Sequence, residues 1–218
     1  MTIEFYGHPF SSYTQKAKIA LYEHDVVFEL HSVDPELPEN RAEYQRIWPM
    51  KRFPVLVDDG VPVFEATIIV EYIDLKYSKG QRLLPANASE ALHTRMMDRI
   101  FDNYVMTPTM SIVFTRIHEN PDGFKGFETP EELLDRSYDW LDKVMAERTW
   151  AAGETFSLAD CAAAPSLFYA DWVRPIPKTC ANVRAYREQL LAHPTVARCV
   201  EEARPYRHYF PGGAPDQD

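Results

Sequence analysis

The hydrophobic pattern of the chain changes character near residue 80: before it strand-like and helix-like stretches alternate, and after it only helical periodicity remains. The opening run Thr2-Ile3-Glu4-Phe5-Tyr6 is rich in β-branched and aromatic residues and predicts a strand, closed by the turn Gly7-His8-Pro9. A helix is expected from about Ser11 to Glu23, with Tyr13, Ala17, Ala20 and Leu21 on one face and Ser11 or Ser12 placed to cap it. Val26 to Val33 reads as a second strand and Pro35 to about Trp48 as an irregular helical stretch. Val55-Leu56-Val57 and Val61 to Phe64 flank Asp59-Gly60, the pattern of a tight hairpin. Glu65 to Tyr77 then predicts a helix that buries Ile69, Tyr72 and Ile73.

Past Lys79-Gly80, the segment Leu83-Leu84-Pro85-Ala86-Asn87 reads as a linker. Three apolar helical faces follow: Met97, Ile100, Phe101 and Tyr104; Leu134, Tyr138, Leu141 and Met145; Val183, Tyr186 and Leu190. Strands and helices followed by helices alone give an α+β chain, with an N-terminal domain over 1–79, a linker over 80–88, an all-helical domain over 89–210 and a flexible tail over 211–218.

Composition narrows the function classes. Hydrophobic residues make up 45% and charged residues 26% of the 218, a globular balance. No stretch approaches the ~18 apolar residues of a spanning helix, and the N-terminus lacks a signal-peptide pattern, so no membrane association and a cytoplasmic location are expected. A net charge of −10 without a basic stripe argues against nucleic acid as a partner. Cys161, Cys180 and Cys199 form neither a CxxC pair nor a metal cluster; they read as small core or surface thiols, and no metal is expected.

Two segments carry candidate chemistry. In Tyr6-Gly7-His8-Pro9-Phe10-Ser11-Ser12-Tyr13 a strand turns into a helix with two hydroxyls at its start. Free N–H groups and the helix dipole favour an anion there, and a serine hydroxyl can donate to a thiolate. The same serine serves equally as an N-cap, Tyr6 as core packing and His8 as a solvated turn residue. In Trp48-Pro49-Met50-Lys51-Arg52-Phe53-Pro54-Val55-Leu56, Pro54 stands at the mouth of a strand. A cis bond there would turn the Phe53 main chain outward for an extended peptide ligand. Glu65 opens a helix, either as a dipole-favoured carboxylate or as a partner for an ammonium group.

In this order and separation, His8-Pro9-Phe10-Ser11, Phe53-Pro54-Val55-Leu56 and the stretch from Glu65-Ala66-Thr67 to Tyr72-Ile73 resemble the cytosolic glutathione transferase superfamily, in its bacterial, serine-using form. Gly153-Glu154-Thr155-Phe156-Ser157-Leu158-Ala159-Asp160 resembles the family's helix-start motif, with Ser157 and Asp160 as a capping box. The resemblance implies a thioredoxin-like N-terminal mixed sheet with helices, an all-helical C-terminal domain and a homodimer. It implies glutathione as co-substrate, with no other cofactor, and a small hydrophobic electrophile as its partner. On that pattern Ser11 donates to the glutathione sulfur and Phe53 pairs its main chain with the cysteinyl part. Pro54 is the cis proline, Glu65 and Ala66 meet the γ-glutamyl end, and Arg52 reaches the glycyl carboxylate. Phe10, Met106, Met110, Tyr169 and Trp172 are the candidates for the electrophile pocket, with ordinary core packing as their alternative.

Two departures matter. Ala66 replaces the serine that usually binds the γ-glutamyl carboxylate, and Ser11 stands where the thiol-transferase classes have cysteine. Tyr6 is a rival donor, since the tyrosine-using classes place their hydroxyl near the end of this strand. The activity implied is glutathione transfer to an electrophile. The alternatives are a non-catalytic binding or scaffold module and a glutathione-dependent isomerase or peroxidase.

Overall fold

The computed structural model describes residues 3–117, 128–216 and 218. Strand β1 (Ile3–Gly7) is followed by helix α1 (Ser12–Glu23), β2 (Glu29–Ser32), α2 (Pro38–Ile47), the hairpin β3 (Val55–Asp58) and β4 (Val61–Phe64), and α3 (Ala66–Tyr77). The strands lie in the order β2-β1-β3-β4, with β1 parallel to β2 and antiparallel to β3. This is the thioredoxin-like mixed sheet. Thr2 lies outside the described residues. The hairpin closes as its residues dictate: Asp59 and Gly60 both have positive φ, 49° and 81°, the mirror-image turn that matches strand twist. The second strand is shorter than its apolar run: it begins at Glu29, while the Val26 N–H bonds back to Leu21 at the end of α1 and Val27 stands in solvent.

Phe5 and Leu56 point to the face covered by α1 and α3, where Ile19, Ile69 and Ile73 are buried. Tyr6, Val33, Tyr44, Val55 and Val57 fill the other face beneath α2. This division follows from the two-residue period of a strand.

The second half is helical: α4 (Ala88–Ile100), α5 (Thr107–Ile117), α6 (Pro130–Met145), α7 (Leu158–Val173), α8 (Ala181–Ala192) and α9 (Pro194–Ala203), with a closing 3-10 turn over Arg204–Tyr209. Between α4 and α5 the backbone passes through a wider π-helical segment, Phe101–Met106. That extra residue per turn rotates the face expected from α4: Met97 and Phe101 are buried, while Tyr104 is about half exposed. The faces read for α6 and α8 are buried in full. Helix α7 is apolar on nearly every side and accordingly runs through the centre, against α1 and the π segment. Its start is fixed by Asp160, which accepts from the Ser157 N–H at 2.9 Å and the Ser157 hydroxyl at 2.8 Å. The same carboxylate takes the Ala151 N–H and the Tyr186 hydroxyl, so its burial is matched by four donors.

The end of the chain folds back: Phe210 packs on Trp172 with ring centroids 5.0 Å apart, and Arg204 and Arg207 both pair with Asp218. Among the described helices none is long and apolar enough to cross a membrane. All three cysteines are buried and free, and burial pushes their thiols above the ordinary range.

Candidate functional site

Helix α1 begins at a crowded corner. A Cβ on Gly7 would lie 2.6 Å from the Thr14 side chain, so only glycine allows the end of β1 this close to α1. His8 is buried rather than solvated. Its Nδ1 accepts from the Phe10 N–H at 3.2 Å, its Nε2 lies 3.2 Å from Asp34 Oδ2, and Tyr206 and Tyr209 stack edge-on against it. Nδ1 is therefore the unprotonated nitrogen and Nε2 donates to Asp34. Burial lowers the pKa of His8 in spite of Asp34, which keeps this neutral form. Tyr169 buttresses the same loop: its hydroxyl donates to the Phe10 carbonyl at 2.8 Å and accepts from Gln15 Nε2 at 3.0 Å.

Ser11 is the N-cap of α1. Its carbonyl accepts from the Gln15 N–H at 2.9 Å and its hydroxyl oxygen accepts from the Thr14 N–H at 3.4 Å. Capping uses only a lone pair, so the hydroxyl proton stays available to a ligand. Capping and donation to a thiolate are compatible roles. Ser12 is buried on the first turn. Tyr6 points beneath α2, where it stacks on His31 and donates its hydroxyl to Glu4 Oε2 at 2.8 Å.

Arg52, Phe53, Pro54, Glu65 and Ala66, more than a dozen residues apart in sequence at their extremes, line one cavity of about 860 Å³ together with Tyr13, Trp48 and Thr67. Its remaining wall comes from α3, α4 and the π segment that follows α4: Ile68 and Glu71, then Arg95, Asp98 and Arg99, then Asp102 and Asn103. Ser11 is not part of this lining; Tyr13, two residues on, is. Burial first, and Asp102 next, push the Tyr13 hydroxyl up to about 12, so it remains protonated at neutral pH. The Phe53–Pro54 peptide bond is cis. Among the described residues no backbone hydrogen bond engages the Phe53 main chain. Glu65 holds φ at +70°, a left-handed conformation that costs a non-glycine residue roughly 1 kcal/mol and tends to persist at functional sites.

Beneath the cavity lies a buried ionic cluster. Lys16 Nζ, on a side chain 1% exposed, bonds Asp98 Oδ1 and Asp102 Oδ2 at 2.7 Å each and Thr67 Oγ1 at 2.8 Å. Arg99 joins the same two carboxylates from the cavity side. Lys16, Asp98, Arg99 and Asp102 were not singled out from sequence; the one available signal was Asp98 and Asp102 at i and i+4 beside the buried Met97 and Phe101.

The five candidates for an electrophile pocket lie elsewhere. Phe10, Tyr169 and Trp172 form an aromatic cluster with Phe168 and Phe210; Met106 is fully buried in the core, and Met110 packs against that core while partly exposed. None of the five lines the cavity above. Among the described residues no group of histidine, cysteine and carboxylate side chains could hold a metal ion.

The glutathione S-transferase N-terminal domain model matches residues 5–82 and the glutathione S-transferase C-terminal domain model matches residues 131–189. Glutathione S-transferase F10 of Arabidopsis thaliana is 33% identical over 184 residues, covering 82% of this chain and 84% of its own length. A stringent starvation protein A homolog of Coxiella burnetii is 29% identical over 163 residues, 75% of this chain and 73% of its own. Among solved structures, glutathione transferase F2 from Populus trichocarpa superposes with a TM-score of 0.78 over 93% of this chain and 99% of its own, at 20% identity, a likeness of fold. With a cis-proline loop, a helix start that leaves a serine proton free and both family domains matched, the chain belongs to the glutathione transferase family.

Proposed function

We propose that the protein joins the thiolate of glutathione to a small hydrophobic electrophile. The observation that carries this reading is the convergence of Arg52, Phe53, Pro54, Glu65 and Ala66 on one cavity. The peptide lies along the Phe53 main chain, its γ-glutamyl end at Glu65 and Ala66 and its glycyl carboxylate toward Arg52. Its sulfur meets the Ser11 hydroxyl at the start of α1. A free thiol has a pKa of ~8.5 and is only a few per cent thiolate at neutral pH. Lowering that by about two units takes ~2.7 kcal/mol, within reach of one hydroxyl donor and a helix N-terminus. The thiolate sulfur then attacks the electrophilic carbon. With a chlorinated aromatic, an S–C bond forms, the C–Cl bond breaks, chloride leaves and the thiol proton passes to solvent.

The electrophile end is assigned to Phe10 and Met110, backed by Met106, Tyr169 and Trp172. A homodimer in the cytoplasm belongs to the same reading, supported by exposed apolar residues on α3 and α4, Ile68, Leu75, Leu92 and Met96. The test is Ser11→Ala. Turnover of a chlorinated aromatic should fall about 10- to 1000-fold and the pKa of bound glutathione should rise, with little change in affinity. Tyr6→Phe should be nearly silent, because its hydroxyl is already committed to Glu4. Loss of activity in Tyr6→Phe but not in Ser11→Ala would reverse the assignment. The likeness to a protein named for starvation rather than transfer favours one second reading, a binding module. Retention on immobilised glutathione without turnover of any electrophile would select it.

A further inference from the structure

The cavity lacks a hydroxyl where the family pattern has one, because residue 66 is alanine. The neighbouring Thr67 cannot stand in. Its Oγ1 accepts from Lys16 Nζ at 2.8 Å and from Arg99 Nη2, and donates to Asp98 Oδ2 at 3.1 Å. A hydroxyl has one proton and two lone pairs, so all of its capacity is used. The anionic end of a ligand at Ala66 needs another partner.

We infer that Arg99 is that partner and takes the α-carboxylate of the γ-glutamyl group. This assignment rests on the proposal that glutathione occupies the cavity. Arg99 lines the cavity and touches Thr67, next to Ala66, with a side chain about half exposed. Its Nε and Nη2 are held by Asp98, Asp102 and Thr67. Among the described residues Nη1 has no partner, so the guanidinium is oriented on one edge and open on another. Lys16 binds the same two carboxylates, so two cations balance two anions, and Arg99 is not neutralised by a private partner. Arg95 also leaves Nη1 without a partner among the described residues, but its Nε and Nη2 form a bidentate pair with one carboxylate of its own, Glu71, a turn further along α3 from Thr67 and Ala66. Glu65 and Glu71 are the other carboxylates on the wall. They would repel a simple anion, but the γ-glutamyl end carries an ammonium beside its carboxylate. Arg99 and Glu65 on the wall of one cavity therefore match a zwitterion, with specificity for an α-amino acid terminus over a plain carboxylic acid.

The experiment compares glutathione with 4-aminobutyryl-cysteinyl-glycine, the same peptide without the α-carboxylate, by calorimetry on the full chain. The native protein should prefer glutathione. Arg99→Gln should lose about 10- to 150-fold in affinity for glutathione and little for the analogue, the range expected for one hydrogen bond to a charge. Arg99→Lys, which keeps a cation for Asp98 and Asp102, should lose part of the preference. Ala66→Ser in the Arg99→Gln background should recover part of it. Since the preference is a ratio read within each variant, a change in folded fraction cancels. Equal weakening toward both peptides, no weakening at all, or no preference in the native protein would overturn the assignment. If the native protein binds neither peptide, the proposed function falls, and this assignment with it.

Discussion

Helix α1 separates two differently built regions. On the side of α3, α4 and the π segment, the apolar cluster holding Ile19, Ile69 and Ile73 is joined by ionic, directional contacts: Lys16 to Asp98, Asp102 and Thr67, and, just past the end of α1, His24 Nε2 to Asp74 Oδ1 at 3.0 Å. On the side of α7, the loop before α1 supplies Phe10, which packs edge to face on Tyr169 in an aromatic cluster with Trp172 and Phe210, and α1 itself contributes Gln15, which donates to the Tyr169 hydroxyl. The ionic side borders the cavity and fixes side-chain directions there. The aromatic side supplies apolar area and a backstop for the loop before Ser11. Removing one partner from a buried charge cluster strands another charge, whereas trimming an aromatic contact costs mainly packing.

The largest expected effect follows from breaking the ionic side. Lys16→Met leaves Asp98 and Asp102 buried with Arg99 as their remaining cation, and should cost about 3–5 kcal/mol in urea unfolding. A cost below about 1 kcal/mol would mean that the cluster contributes no more than an exposed pair.

Next in size is Asp74, which ties α1 to the linker into the helical half. Besides His24 it accepts from Arg82 Nε at 2.7 Å and from the Leu83 and Leu84 N–H groups at 2.7 and 3.3 Å. Burial opposes its ionisation, but His24, Arg82 and Leu83 outweigh that and hold the carboxyl below its ordinary range. A depressed carboxylate stabilises the fold fully above its unfolded pKa of ~3.9, and that contribution is lost as pH falls through the lower folded value. Asp74→Asn should therefore cost about 1.5–3 kcal/mol at pH 7, with the gap to the native protein narrowing below about pH 4. A gap independent of pH would show that the side chain acts through shape alone.

The smallest change sharpens the comparison from the aromatic side. Tyr169→Phe keeps the ring but removes the hydroxyl between Gln15 and the Phe10 carbonyl, costing about 1–1.5 kcal/mol in thermal unfolding. If the loop serves Ser11 as proposed, kcat should fall by a few-fold while glutathione affinity is kept. Unchanged kcat would confine Tyr169 to packing.

Much of the fold was legible because its signals are local. Asp59-Gly60 specified a hairpin through the conformations those residues tolerate, and Ser157 with Asp160 marked a helix start three residues apart. The faces of α6 and α8 were visible as apolar repeats, each confined to a single helix. The face across Tyr104 misled because a π segment changes the angle per residue without leaving a mark in the apolar pattern. His8 misled because a histidine before proline carries no sign that Asp34 and two tyrosines from the other end of the chain will enclose it.

The sequence by itself determined the order of strands and helices as far as Tyr77, the resemblance to glutathione transferases and the five residues Arg52, Phe53, Pro54, Glu65 and Ala66 that meet in the cavity, since each rests on short-range periodicity or on contiguous motifs. Only the tertiary structure decided that Lys16, a residue type almost never fully buried without a partner, is buried, because its partner Asp102 lies 86 residues further along. It likewise decided that Thr67 is saturated and that, among the described residues, the Nη1 edge of Arg99 has no partner. Hydrogen-bond capacity is consumed by neighbours in space, and the distance between two side chains in the folded chain is not written in their spacing along it.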